Sequence, residues 1–429
     1  MRIAKAALIT PERNFAYGLT AIALSIFVFA YSTRFGQISI LVFYALWLPL
    51  VLVDYRQVLG NYARYHWILA FGAFALLSTF WSLSPGTSAR ASVQYATHIV
   101  CALIAARVIG ARTLSYGMVA GTALVLAYSF LFGGYHFDPL DGTYSFVGAF
   151  SSKNQLGFYA SLGVYFAFVV AFLLRAPVLV RLGVIAIGGI SAYALVASQS
   201  ATSLIGIVLT LAAMCAMRLV LMFSTGTRKM IFVCGAILAV TGIFIALNAG
   251  ALDAVLAIFG KDATLTGRTY LWSEGLASIA QAPLLGVGYQ GYWVQGFAEA
   301  ERLWAEFYIA TRTGFHFHNT YIEALVELGA VGFMLICVLI GRVLFAHLGR
   351  LLSHASDPSA YILFGLAVLL LIRSFVEVDI LYPYTIGSFL IYYAAGQWAL
   401  RPAPGQDRAN TPPLGAAYVG VPSRPVASP

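Results

Sequence analysis

Two histidines stand two apart in "GFHFHNTYIEALVELG", residues 314–329: His316 and His318, followed at once by Asn319 and then by an apolar helical pattern. Imidazole exchanges protons near neutral pH and also ligates metals, so three readings stand: acid–base chemistry, a metal site, or polar packing at a membrane edge. A metal would need further ligands, and His66, His98, His136, His347 and His354 offer none at a suitable spacing. Asn319 or Thr320 can cap the helix that follows, with Glu323 and Glu327 four apart on one of its faces.

Four more polar stretches interrupt the apolar pattern. "TGRTYLW" (266–272) places Arg268 in the first turn of a short helix that Pro283 ends. A cation there opposes the helix dipole by a few tenths to about 1 kcal/mol, a cost that a bound anion at the same end would remove. Pairing with Asp262 or Glu274 would remove it too. "FSSKNQLG" (150–157) puts Lys153 and Asn154 at a helix mouth, with Lys153 an interfacial anchor or an anion ligand. "SQSATS" (198–203), with Ser200 at its centre, either binds an acceptor or simply terminates two helices. In "RSFVEVD" (373–379), Arg373 and Glu377 have the i,i+4 spacing of a helix-face ion pair, with Asp379 close by.

The elements that must position these residues are membrane helices. Of the 429 residues 61% are hydrophobic and 10% charged, against about a quarter charged in a soluble domain. Apolar runs of roughly 18–22 residues can cross a hydrocarbon core about 30 Å thick. They are continuous rather than alternating, which argues for helices and against a barrel. The expected fold is therefore an all-α polytopic membrane protein. Its spans are placed at 15–33, 37–54, 66–83, 91–109, 114–132, 154–174, 182–199, 203–222, 231–249, 320–341, 360–378 and 380–399. The first has no small-residue cleavage site and reads as a retained helix.

Seventeen of the 25 Lys and Arg residues fall on the side of the two termini, which makes that side cytoplasmic. Arg34, Arg90, Lys153, Lys261, Arg268, Arg302, Arg312 and Arg373 fall on the other. The net charge of +9 is thus chiefly a topology signal, and no nucleic-acid partner is expected. The organisation expected is nine spans over 1–249, a large loop with surface helices over 250–319, three spans over 320–400, and a disordered cytoplasmic tail over 401–429. Cys101, Cys215, Cys234 and Cys337 lie within spans and read as buried free thiols.

Taken in order, "FSSKNQLG", "SQSATS", "TGRTYLW" with "PLLGVGYQGYW", "HFHNTYIEALVELGAVG" and "RSFVEVD" resemble the O-antigen ligase and polysaccharide polymerase superfamily over about residues 70–395. The resemblance implies an enzyme of the bacterial inner membrane that needs no metal or cofactor. It would take a glycan from undecaprenyl diphosphate and pass it to a hydroxyl on the periplasmic side. His318 corresponds to the family's histidine before Asn, and Arg268 to its loop arginine. Where many members carry a cation within the serine turn, this chain has Ala201 and Thr202, so Lys153, Arg312 or Arg90 would supply it. His316, Asn319, Asn154, Ser200 and Tyr289 complete the expected site.

That reaction suits the residues. A neutral His318 can take the acceptor's proton, a contribution of typically 10²–10⁴-fold, while Arg268 stabilises the departing diphosphate through two of its N–H groups. In-line displacement would invert the anomeric carbon. The expected acceptor is lipid A–core, which makes the protein an O-antigen ligase. Extension of the glycan on its own lipid carrier, a polymerase reaction, is the alternative. A transporter fits less well, because polar residues gather on one face and paired broken helices are missing from the pattern.

Overall fold

The structure, a computed structural model, describes residues 4–11, 13–60, 62–138, 142–250 and 267–400. Each of the twelve apolar runs is helical over most of its length. The principal helices are α1 (Phe15–Phe35), α2 (Gln37–Trp47), α3 (His66–Leu77), α4 (Pro85–Val108), α5 (Ala111–Phe132), α6 (Lys153–Phe168), α7 (Val178–Ala197), α8 (Ala201–Val220) and α9 (Thr225–Asn248). Two short helices, α10 (Arg268–Ile279) and α11 (Ala298–Glu306), precede α12 (Thr320–Ser353), α13 (Pro358–Ser374) and α14 (Ile386–Ala399).

Eight helices are long and apolar enough to cross a membrane among the described residues, nine if the pair Gln37–Val53 and Tyr55–Phe80, bent by 119°, is one span. Expectation and structure part over the remaining runs. Pro49 and Asp54 break the second run, and α13 and α14 are shorter than expected because residues 375–385 leave the helix. The disordered tail expected over 401–429 lies outside the described residues, as do 251–266 of the large loop.

Between α5 and α6, in the stretch separating two of the expected spans, the chain forms an antiparallel hairpin, β1 (Gly134–Asp138) and β2 (Thr143–Gly148). Its aromatic face, with Tyr135, Phe137 and Tyr144, is exposed, while Ser145 of the opposite face is buried. Only one of the four cysteines is buried: Cys101 is, whereas Cys215 and Cys234 are exposed and Cys337 is intermediate. Cys215 on α8 and Cys234 on α9 therefore face outward rather than into the bundle.

The segment "PLLGVG" has a structural role that its sequence does not announce. Within α12 the helix breaks at Gly329 (φ 61°, ψ −165°), which frees backbone groups on both sides of the break. Residues 283–288 satisfy them: Val287 N–H donates to Val326 O (3.1 Å) and Gly288 N–H to Glu327 O (2.8 Å), while Ala330 N–H donates back to Pro283 O (2.9 Å). The strands of chain approach so closely that a Cβ on Gly329 would lie 2.3 Å from the Leu284 carbonyl carbon. Gly329→Ala is accordingly expected to cost about 1–3 kcal/mol from backbone strain alone, with the clash added. A melting temperature in detergent equal to wild type would contradict this splice.

Candidate active site

The loop before α12 is held at every backbone position that matters. Asn319 caps the helix, its Oδ1 accepting from Tyr321 N–H (2.9 Å) and Ile322 N–H (3.2 Å). Phe317 is fully buried in a small cluster with Leu271, Tyr292, Leu303, Ile322 and Val326. Its N–H donates to Glu323 Oε2 (2.8 Å) and its carbonyl accepts from Trp272 Nε1 (2.9 Å). Glu323 also accepts from Trp293 Nε1 (3.0 Å) and from the Tyr382 hydroxyl. With Phe317 clamped inward, alternation turns His316 and His318 to the opposite side, their ring centroids 4.3 Å apart.

The unwound segment after α13 meets this loop. Three successive carbonyls, freed by the end of the helix at Ser374, become acceptors. Phe375 O accepts from Asn319 Nδ2 (2.9 Å), Val376 O from Arg268 Nη1 (2.5 Å), and Glu377 O from Thr320 Oγ1 (2.7 Å). The Glu377 carboxylate then bridges two expected site residues: Oε1 to Arg268 Nη2 (2.7 Å) and Oε2 to His318 Nδ1 (3.3 Å). Glu377 is 5% exposed. Burial pushes its carboxyl up, but Arg268, His318 and Arg373 together outweigh that and hold it well below the usual carboxylate range. An ionised Glu377 accepting from His318 Nδ1–H leaves Nε2 with a lone pair, the arrangement of an oriented general base. His318 itself sits at φ 52°, a left-handed conformation that this web of bonds sustains.

His316 supports rather than repeats His318. Its Nδ1 accepts the His318 backbone N–H (3.1 Å), so a neutral ring carries its proton on Nε2. Desolvation, aided by His318 and Arg268 and opposed by Glu377, pushes its pKa down to about 3. The sign is that of a group which stays neutral when folded: the unfolded chain takes up a proton below about 6.5 and the folded chain does not. Stability is therefore full above that value and falls as the pH drops toward about 3. His316→Gln should flatten that part of the melting-temperature profile, and an identical profile would refute the assignment.

Beneath this group lies a second charged pair. Arg373, 1% exposed, donates to Asp379 Oδ2 (2.6 Å) and Ser203 Oγ (2.9 Å), with its guanidinium 3.9 Å over the Phe158 ring. The i,i+4 pairing of Arg373 with Glu377 expected from sequence is therefore not formed, because the helix ends between them. Ser203 is hydrogen-bonded to Ser200 (3.1 Å), which caps α8 and donates to Asn154 Oδ1 (2.9 Å). Asn154 and Ser200 are thus tied through Ser203 to Arg373 and Asp379.

The other expected residues are placed elsewhere. Lys153 pairs with Asp138 of the hairpin (3.0 Å) and donates to Thr143 (2.8 Å). Arg312 pairs with Glu301 (3.1 Å) on an exposed surface, and Arg90 is exposed on α4. The Tyr289 hydroxyl is buried and donates to Leu381 O (2.6 Å). Glu274, offered as a partner for Arg268, pairs with Arg302 instead, and Asp262 lies outside the described residues. Sequence reasoning missed Glu377 as the link between Arg268 and His318. The available signal was three charged residues in seven, just after a long apolar run.

The same arrangement supplies what the sequence did not, a third group beside the two histidines: donors of His316, His318 and Glu377 lie within 4.8 Å of one another. The fit to a metal is poor on two counts. His316 Nδ1 already accepts a backbone N–H, and the Arg268 guanidinium already supplies positive charge at Glu377.

A bundle of so many long apolar helices is a multi-pass membrane protein, and at one end of it a histidine, a carboxylate and an arginine are joined. A profile of the O-antigen ligase family matches residues 186–337. The chain is also 54% identical over 411 residues to the exopolysaccharide production protein ExoQ of Rhizobium meliloti strain 1021, an alignment spanning 96% of this chain and 94% of that protein. It belongs to the O-antigen ligase-like superfamily, and membership implies a glycosyltransferase-like activity.

Proposed function

We propose that this protein is a polymerase of exopolysaccharide production, which extends a glycan carried on undecaprenyl diphosphate at the periplasmic face of the inner membrane. The observation that carries the choice of polymer over ligation is the near full-length similarity to a protein named for exopolysaccharide production. His318 Nε2 takes the proton of the acceptor sugar hydroxyl as its oxygen bonds to the anomeric carbon of the donor. The bond from that carbon to the diphosphate breaks, and the configuration inverts. Glu377 fixes the His318 ring. Arg268, with N–H groups beyond those given to Val376 and Glu377, faces the negative charge that grows on the leaving diphosphate. Gly267 gives α10 no capping side chain, which suits an anion at that helix end.

Ligation of O-antigen to lipid A–core is the second reading, favoured by the description of the family whose profile covers residues 186–337. The two differ in acceptor alone. Purified protein offered both lipid-linked repeat units and lipid A–core should lengthen the former and leave the latter unmodified. Glycan appearing on lipid A–core would reverse the assignment. The chemistry proposed draws its positive charge from Arg268, so a chelator should leave transfer unchanged. A loss restored by a divalent ion would instead make His316, His318 and Glu377 a metal site.

A further inference from the structure

At the far end of α6, α8 and α13 lies a groove that the proposed chemistry does not use. The helix from Lys153 to Leu173 has 21 residues, which sets the groove roughly 30 Å from the serine turn. Over its last five residues, Val169–Leu173, that helix opens into a π-turn, a local widening often found at functional positions. Beside it is a cavity of about 450 Å³. Phe168, Phe172, Leu173 and Leu219 give it apolar walls, and Arg218 is its one charged lining residue. Tyr361 also lines it, but its hydroxyl donates to the Met214 carbonyl, so it presents a ring and no free donor.

Charge decides what fits. Residues 142–252 contain no Asp or Glu, while Lys153 at the opposite end of α6 and Arg175, Arg181, Arg218, Arg228 and Lys229 fall within them. Arg228 is turned to the carbonyls of Phe223, Leu351 and Leu352. Asp357, four residues before Tyr361, is taken by Arg350 at 2.6 Å. Arg218 is exposed in the last turn of α8, and Arg175 follows the lining residue Leu173 by two positions. An apolar groove thus carries one exposed cation, Arg218, whose own stretch of chain supplies no counter-charge. We propose that it binds an acyl chain of an anionic glycerophospholipid, with Arg218 on the headgroup. The apolar walls exclude a free phosphate as the natural occupant, and the missing counter-charge favours a net-negative headgroup over a zwitterionic one.

Cys215 lines the groove and is exposed, and Cys234, also exposed, lies on α9 away from the lining. The two thiols make an internal comparison. Detergent-purified full-length protein would be alkylated with a small maleimide, and labelling at each cysteine followed by peptide mass spectrometry. Phosphatidylglycerol at ten times its Kd should slow labelling of Cys215 about tenfold and leave Cys234 unchanged. Phosphatidylcholine and inorganic phosphate should leave both unchanged. Arg218→Ala should abolish the protection and Arg218→Lys retain most of it. Equal protection by phosphatidylcholine, protection of Cys234 to the same degree, or protection that survives Arg218→Ala would each overturn the proposal. So would the absence of any protection in the wild type.

Discussion

Replacement of His318 by alanine is expected to lower glycan transfer by about 10²–10⁴-fold, the usual contribution of a positioned general base, while the protein stays folded in the membrane. The fold should tolerate the change because His318 carries little of the packing. The loop is fixed through Phe317, whose ring is buried and whose N–H and carbonyl are bound by Glu323 and Trp272, and through the Asn319 cap. Loss of the ring also relieves Glu377 of one partner but leaves the Arg268 contact at 2.7 Å. His318→Gln is the useful companion, since it keeps a polar side chain there without a base of the right strength. Activity near wild type in either variant would remove His318 from the chemistry.

Arg268 gives the second large effect, and its substitutions separate charge from geometry. Arg268→Lys keeps a cation beside Glu377 but has no planar fork with which to hold a backbone carbonyl, a carboxylate and a phosphate oxygen together. Loss of one charge-assisted hydrogen bond, about 1.5–3 kcal/mol, corresponds to a fall in transfer of roughly 10- to 10²-fold, with stability little changed. Arg268→Ala is more severe for a different reason: it leaves the buried Glu377 carboxylate without its principal counter-charge, a class of change that costs about 3–5 kcal/mol of stability. Adding Glu377→Gln to that variant should recover most of the stability. Wild-type transfer by the lysine variant would reduce Arg268 to an ion-pair partner.

How much of this could be read from the sequence depends on where each signal is stored. The helices were legible because lipid demands a continuous apolar run, and the two histidines and Arg268 because polar chemistry stands out against such runs. Glu377 was misread for a definite reason. Phe375, Val376 and Val378 are apolar, so the run looked helical through residue 378. In the structure the backbone leaves the helix at Ser374 and gives three carbonyls to Asn319, Arg268 and Thr320. That choice is made by partners 50 to 110 positions away, and no local pattern records it. The break at Gly329 is hidden in the same manner, since only its pairing with residues 283–288 explains a glycine in mid-helix. Lys153, by contrast, is legible as a cation at a helix mouth, and a helix does start there, but its partner Asp138 lies on a hairpin that no apolar run announces.

The most direct test is transfer by purified protein supplied with a polyprenyl-diphosphate-linked repeat unit, comparing wild type with His318→Ala and following chain length and anchor together. The account predicts longer glycan that is still attached to the lipid diphosphate, formed by the wild type and lost with His318. Elongation by the alanine variant at the wild-type rate, or a folded wild-type protein that makes no longer chain from this donor, would contradict it.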